Sequence, residues 1–90
     1  MKAELSVYIE QGCSGCDFAR QLASQLDAEF IYLKVTVVDI ATIDSLPDEV
    51  VAVPAYVLNG RLVSLGNPSV TEMEELIRRV VAEEVRAHGP

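Results

Sequence analysis

Between residues 9 and 16 the hydrophobic period of this chain changes from that of a strand to that of a helix, and its only two cysteines, Cys13 and Cys16, lie at the change. Upstream, Leu5, Val7 and Ile9 alternate with Ser6, Tyr8 and Glu10, the pattern of a strand with one face on a core. Downstream, Cys16, Ala19, Ala23 and Leu26 share one side of a helix expected from about Cys13 to Leu26. Phe18 and Leu22 broaden that side, while Asp17, Arg20, Gln21 and Gln25 can face water. Gly12 permits the turn between the two elements. A strand that delivers Cys13-Ser14-Gly15-Cys16 to the first turn of a helix exposes one thiol, lowers its pKa and holds the second within disulfide reach. The chemistry implied is thiol–disulfide exchange.

The rest of the chain supplies the parts of one small domain spanning residues 1–90. Phe30 to Val38 is apolar and β-branched, with Ile31, Leu33, Val35 and Val37 on one face, which predicts an internal strand. Asp39 to Leu46 is the place for a short helix before Pro47. Pro54 opens the strand Ala55 to Leu58, Asn59-Gly60 gives a hairpin turn, and Arg61 to Leu65 is the returning strand. A second helix follows, because Ser69 can cap and Glu72 can reciprocate three positions later. Val70, Met73, Leu76, Ile77, Val80, Val81 and Val85 continue its apolar stripe, which reads as core packing. Tyr8 and Tyr56 are expected to pack on the sheet, and His88, beside the terminal Gly-Pro, is expected to take no part in catalysis.

Composition excludes several classes of function. Seven Lys plus Arg against fourteen Asp plus Glu give a formal net charge of -7, with no cationic face on which phosphates would gather, so nucleic acid is not an expected partner. Arg78 and Arg79 sit beside Glu74, Glu75, Glu83 and Glu84. The start of the chain lacks an export pattern and no segment has the length of a membrane span, so a cytoplasmic location is the default expectation. Two cysteines are too few for a structural disulfide framework, and no hydrolase triad or phosphate-binding glycine loop is present.

With the motif after the first strand, Val53-Pro54 opening the third and Gly66 after the last, the chain resembles the thioredoxin-like family over nearly its whole length. The stretch Val53-Pro54-Ala55-Tyr56-Val57-Leu58-Asn59-Gly60 is similar to the proline-to-hairpin segment of small thioredoxins and glutaredoxin-like proteins. The resemblance implies an α/β fold, a central mixed four-stranded sheet flanked by helices on both sides. It implies a cis proline at Pro54, facing the cysteine turn, with the backbone of Val53 pairing with substrate and Gly66 keeping the other side of the groove open. Ser14 and Gly15 would tune the turn, Gly15 easing the tight helix start and leaving room for a substrate backbone.

The departures from the family pattern are specific. Gly12 replaces the aromatic residue before the thioredoxin motif, Ser14-Gly15 replaces Gly-Pro, and Val7 stands where thioredoxin has a buried acid. Glu10-Gln11, Ala52-Val53-Pro54 and Leu65-Gly66-Asn67 replace the segments with which glutaredoxins bind glutathione. A monomeric oxidoreductase acting on protein or peptide disulfides is therefore expected, needing no cofactor or metal.

In this reading Cys13 is the attacking thiol and Cys16 the resolving one. Glu10 and Asp17 oppose thiolate formation, while the helix terminus favours it. With no third cysteine, an external thiol reductant or disulfide reductase must restore the dithiol. Two other readings stay open: a partner-binding module of the same fold without catalysis, and a dimer that joins two cysteine pairs around zinc or an iron–sulfur centre.

Overall fold

The computed structural model describes residues 3–88. Gly89, Pro90 and the side chain of His88, with the expectation attached to it, lie outside what is described. Strand β1 (Ala3–Ile9) is followed by helix α1 (Cys16–Glu29), strand β2 (Leu33–Asp39), a single 3-10 turn at Ile40–Thr42, the hairpin β3 (Ala55–Leu58) and β4 (Arg61–Leu65), and helix α2 (Val70–His88). The sheet order is β2-β1-β3-β4. Strand β2 runs parallel to β1 with Leu5 opposite Val35, and β3 runs antiparallel to β1 with Val7 opposite Tyr56. The sheet is mixed, and α1 makes the crossover that parallel neighbours require.

Alternation along β1 decides where the core lies. Ala3, Leu5, Val7 and Ile9 are buried and form one cluster with Ala19, Leu22 and Leu26 of α1, Met73 and Ile77 of α2, and Tyr56 and Leu58 of β3. Both helices thus pack on the same face of the sheet. The other face carries Glu4, Ser6 and Tyr8 of β1, opposite Lys34, Thr36 and Val38 of β2. There Lys34 Nζ lies 3.9 Å from Glu4 Oε1, in an exposed pair. The family pattern of helices on both faces is not followed among the described residues, because residues 40–54 hold only the 3-10 turn. Its bonds are local: the Ala41 amide donates to Asp39 Oδ1 at 2.9 Å, and the Val50 amide to the Pro47 carbonyl at 3.0 Å.

The hairpin follows the Asn-Gly rule. Asn59 and Gly60 have φ of 49° and 81°, the left-handed pair that a two-residue turn between twisted strands demands. Asn59 also donates its amide to the Glu4 carbonyl and accepts from the Glu4 amide through Oδ1, both at 2.8 Å, which fixes the turn against β1. The ladder then slips by one residue: Tyr56 pairs with Ser64 but Val57 with Leu62. Where the C-terminal end of α1 meets the middle of α2, Arg78 Nη2 donates to Glu29 Oε2 at 3.3 Å, and its guanidinium lies 5.5 Å from the ring centre of Phe30.

Four further expectations are corrected. Helix α1 begins at Cys16 rather than Cys13, because residues 13–15 form a tighter turn in which the Cys16 amide donates to the Cys13 carbonyl at 3.2 Å. Strand β2 begins at Leu33 and is an edge strand, not an internal one. Ile31, 79% exposed, lies in the preceding turn, and Val37, 42% exposed, borders an open groove against Arg20, Ser24 and Asp27 of α1. The 39–46 segment closes one 3-10 turn instead of an α-helix. Val85 is 54% exposed, because α2 outruns the sheet it packs on.

Candidate active site

The end of β1 and the start of β3 lie at the same end of the sheet, since the two strands are antiparallel. Residues 10–16 leave from one and residues 53–54 enter the other. Cys13 and Cys16 form a disulfide with Cα atoms 5.3 Å apart. Their environments differ. Cys16 is fully buried in the cluster between α1 and the sheet, whereas Cys13 is half-buried and only borders it. The first residue of a helix whose next buried positions are Ala19, Leu22 and Ala23 has to point inward with them. Cys13 precedes the helix, in the turn, and is only half-buried.

Helix α1 has Gly15 at its N-cap, and no side chain caps it. Its first amides are left without a side-chain acceptor beside the cysteines, which favours negative charge there. Asp17 opposes that field, but Arg20 Nη1 donates to Asp17 Oδ1 at 3.1 Å, turning part of the acid's charge along the helix. Glu10 is exposed at the strand exit. No charged side chain among the described residues is buried, and Val7 fills its site as an apolar residue.

The Val53-Pro54 peptide bond is cis, and Pro54 is buried against the cysteine turn. A methyl group placed on Gly15 would lie 3.1 Å from Asn67 Nδ2 and 3.5 Å from Pro54 Cδ, so the absence of a side chain there admits the body of the protein itself. The Pro54 carbonyl accepts the Gly66 amide at 2.7 Å. Gly66 has φ of 84°, a left-handed conformation, and the space beside it is open. The residues singled out in the sequence, Cys13, Ser14, Gly15, Cys16, Val53, Pro54 and Gly66, therefore gather at one end of the sheet, with Ser14 exposed and Val53 half-buried.

Sequence reading missed Asn67 as part of this site. Its Nδ2 donates to the Gly15 carbonyl at 2.9 Å, across 52 residues of sequence. Its Oδ1 accepts from the hydroxyl of Tyr56 at 2.7 Å. Tyr56 is a buried sheet residue, as expected, and burial pushes its hydroxyl up to about 12, so it remains a neutral donor at working pH. No periodic signal marks such a bond, although an Asn two residues before a capping Ser is the kind of polar residue that serves turns. Among the described residues no group of three or more His, Cys, Asp or Glu is placed to hold a metal ion.

Comparison with known proteins agrees with this geometry. In fold the chain is similar to the N21Q mutant thioredoxin from Halobacterium salinarum NRC-1, with a TM-score of 0.74 and 20% identity, covering 87% of this chain and 74% of that one. It is similar to mitochondrial thioredoxin 3 from Saccharomyces cerevisiae in its oxidised form, with a TM-score of 0.67 and 21% identity over 87% and 78% of the two chains. A third similar chain comes from the structural basis of the thiol resolving mechanism in yeast mitochondrial 1-Cys peroxiredoxin via glutathione/thioredoxin systems, at TM-score 0.66, 19% identity and the same coverage of 87% and 78%. No curated protein matches in sequence. At these identities the structures speak for the fold alone. The sequence model of the thioredoxin domain matches residues 3–78, so the chain belongs to that family, and its Cys13–Cys16 pair in this fold supports thiol–disulfide oxidoreductase activity.

Proposed function

We propose that Cys13 is the attacking thiol and Cys16 the resolving thiol in the reduction of disulfides in extended peptides or protein segments. The observation that carries the assignment is the unequal burial of the pair: Cys16 is enclosed at the first residue of α1, while Cys13 borders solvent beside uncapped helix amides. In the first step the Cys13 thiolate attacks one sulfur of the substrate disulfide; the substrate S–S bond breaks and its other sulfur leaves as a thiolate. Cys16 then loses its proton and attacks the Cys13 sulfur, releasing the second substrate thiol and leaving the protein disulfide. With no buried acid beside Cys16, the proton passes to the departing substrate thiolate or to water. Two electrons from an external reductant, a thiol or a disulfide reductase, together with two protons, restore the dithiol.

The surroundings support a peptide rather than glutathione. Beside Val53 lies an apolar recess of about 180 Å³, lined by Ile40, Leu46, Val50 and Val51 with Glu10 at its side. A peptide running past Val53, Pro54 and Gly66 can place an apolar side chain there. Ser14 and Gly15 would border the same peptide on the cysteine side. Glutathione brings two carboxylates to a chain of net charge -7 and finds none of the glutaredoxin segments named above. The scheme needs one copy of the chain and a reducing compartment, such as the cytoplasm. Among the described residues no helix is long and apolar enough to cross a membrane.

The assignment is tested by trapping. Cys16→Ser should capture a peptide disulfide as a stable mixed disulfide at Cys13, because a serine hydroxyl cannot resolve it, and Cys13→Ser should capture none. Equal capture by both variants would end the division of labour. Substrate class is tested by comparing turnover of a glutathione–peptide mixed disulfide with that of a matched peptide–peptide disulfide; the second should be faster, and the reverse preference would make the chain a working glutaredoxin.

A further inference from the structure

We propose that Asn67 is a positioning residue that sets the redox equilibrium of the cysteine pair, holding the turn between the cysteines in its disulfide form. The turn is fastened at two places. Cys16, at its C-terminal end, is 0% exposed and fixed in the core. Gly15, next to it, is held through its carbonyl by Asn67 Nδ2 at 2.9 Å, and that amide is in turn oriented by the Tyr56 hydroxyl at 2.7 Å. The Gly15 carbonyl can only accept, so Nδ2 must face it, and Oδ1 is left to accept from the Tyr56 hydroxyl. The Gly15 carbonyl also accepts the Ala19 amide at 3.2 Å, which makes the same oxygen the start of the α1 ladder. A side chain at residue 15 would intrude on this contact, since its Cβ would come within 3.1 Å of Nδ2.

Reduction adds two electrons and two protons, breaks the S–S bond and requires the sulfurs to separate to van der Waals contact. Cys16 is enclosed by the core while Cys13 is half-buried, so the displacement falls on Cys13 and on the turn that Asn67 holds. The brace therefore opposes relaxation to the dithiol and favours the disulfide, lowering the reduction potential. This is independent of which substrate the protein uses, and it is measured with a small dithiol alone: protein disulfide plus reduced dithiothreitol gives protein dithiol plus the cyclic dithiothreitol disulfide.

The test is that equilibrium in the wild type and in Asn67→Ala, Asn67→Asp and Tyr56→Phe, quenched with an alkylating agent and read by mass. Asn67→Asp keeps an acceptor for Tyr56 but removes the donor to Gly15, so it separates the two bonds. Losing one neutral hydrogen bond made in one state only should move the equilibrium about threefold to tenfold toward the dithiol, a rise in potential of up to about 30 mV. Asn67→Ala and Asn67→Asp should both show this rise, and Tyr56→Phe a smaller one of the same sign. Urea unfolding of the oxidised and reduced forms supplies a check, because the two stability changes must differ by the same factor. An unchanged equilibrium, with equal stability loss in both forms, would reduce Asn67 to a structural contact and overturn the proposal. A shift toward the disulfide would overturn its sign.

Discussion

The two helices of this protein begin in opposite ways. At the start of α2, Ser69 Oγ accepts the Glu72 amide at 3.0 Å, and the Met73 amide donates to the Ser69 carbonyl at 3.1 Å. At the start of α1 the cap is a glycine with no side chain to offer, and the acid of the first turn is drawn into a pair with Arg20. Both ends present the same unsatisfied donors and the same partial positive charge. Helix α2 satisfies one of them with its own serine, whereas α1 leaves its first turn without a side-chain acceptor beside the cysteines. The contrast is one of chemistry more than of energy: a glycine N-cap gives up only about a few tenths of a kcal/mol relative to a capping side chain, and it leaves the first turn of α1 open beside the cysteines. The two ends are also joined. Asn67, just ahead of the cap of α2, is the residue that steadies the carbonyl at the cap of α1.

Giving α1 the cap it lacks should break the contrast most strongly. Gly15→Asp introduces a carboxylate that competes for the first amides, repels a Cys13 thiolate and crowds Asn67. Alkylation of Cys13 in the reduced protein at neutral pH should slow by about tenfold, the consequence of raising its thiol pKa by roughly one unit. An unchanged alkylation rate would mean that the free amides do not serve the cysteine.

Removing the cap that α2 has should cost stability alone. Ser69→Ala should lower stability by about 1 kcal/mol, and the melting temperature by roughly 4–8 °C, while the exchange rate per folded molecule stays at the wild-type value. A loss of rate without a loss of stability would place Ser69 in the substrate groove instead. Asp17→Asn sharpens the α1 side. It removes a charge that opposes the thiolate, but the carboxylate is 88% exposed, so Cys13 alkylation should quicken by no more than about threefold at low ionic strength, and the gain should fade in salt.

The last effect is absent at neutral pH and emerges in alkali. Because the Tyr56 hydroxyl in the folded protein is raised to about 12 from 10.0, the unfolded chain releases that proton first. Its contribution to stability is complete below pH 10 and is lost as pH rises toward about 12. The alkaline fall in stability should be shallower in Tyr56→Phe than in the wild type, and identical slopes would show that the hydroxyl ionises as freely in the fold as in the unfolded chain.

What the sequence determined by itself was everything carried by neighbours in the chain. The alternation of Leu5, Val7 and Ile9, the Asn59-Gly60 turn, the Ser69 cap and the inward place of Cys16 each rest on a local period or a local bond, and each is found in the fold. The approach of Pro54 to the cysteine turn was legible through the family pattern, not through any spacing. The tertiary structure decided the rest. A β-branched run does not say whether a strand will have one neighbour or two, so β2 read as internal although only β1 pairs with it in the sheet. An amphipathic stripe does not say where its sheet ends, so Val85 looked like core. The start of α1 moved to Cys16 because the disulfide turn and the Asn67 bond shape residues 13–15, and periodicity carries neither. A hydrogen bond between residues 15 and 67 has no counterpart in any short window of sequence, since it exists only once antiparallel pairing has brought the end of β1 to the start of β3.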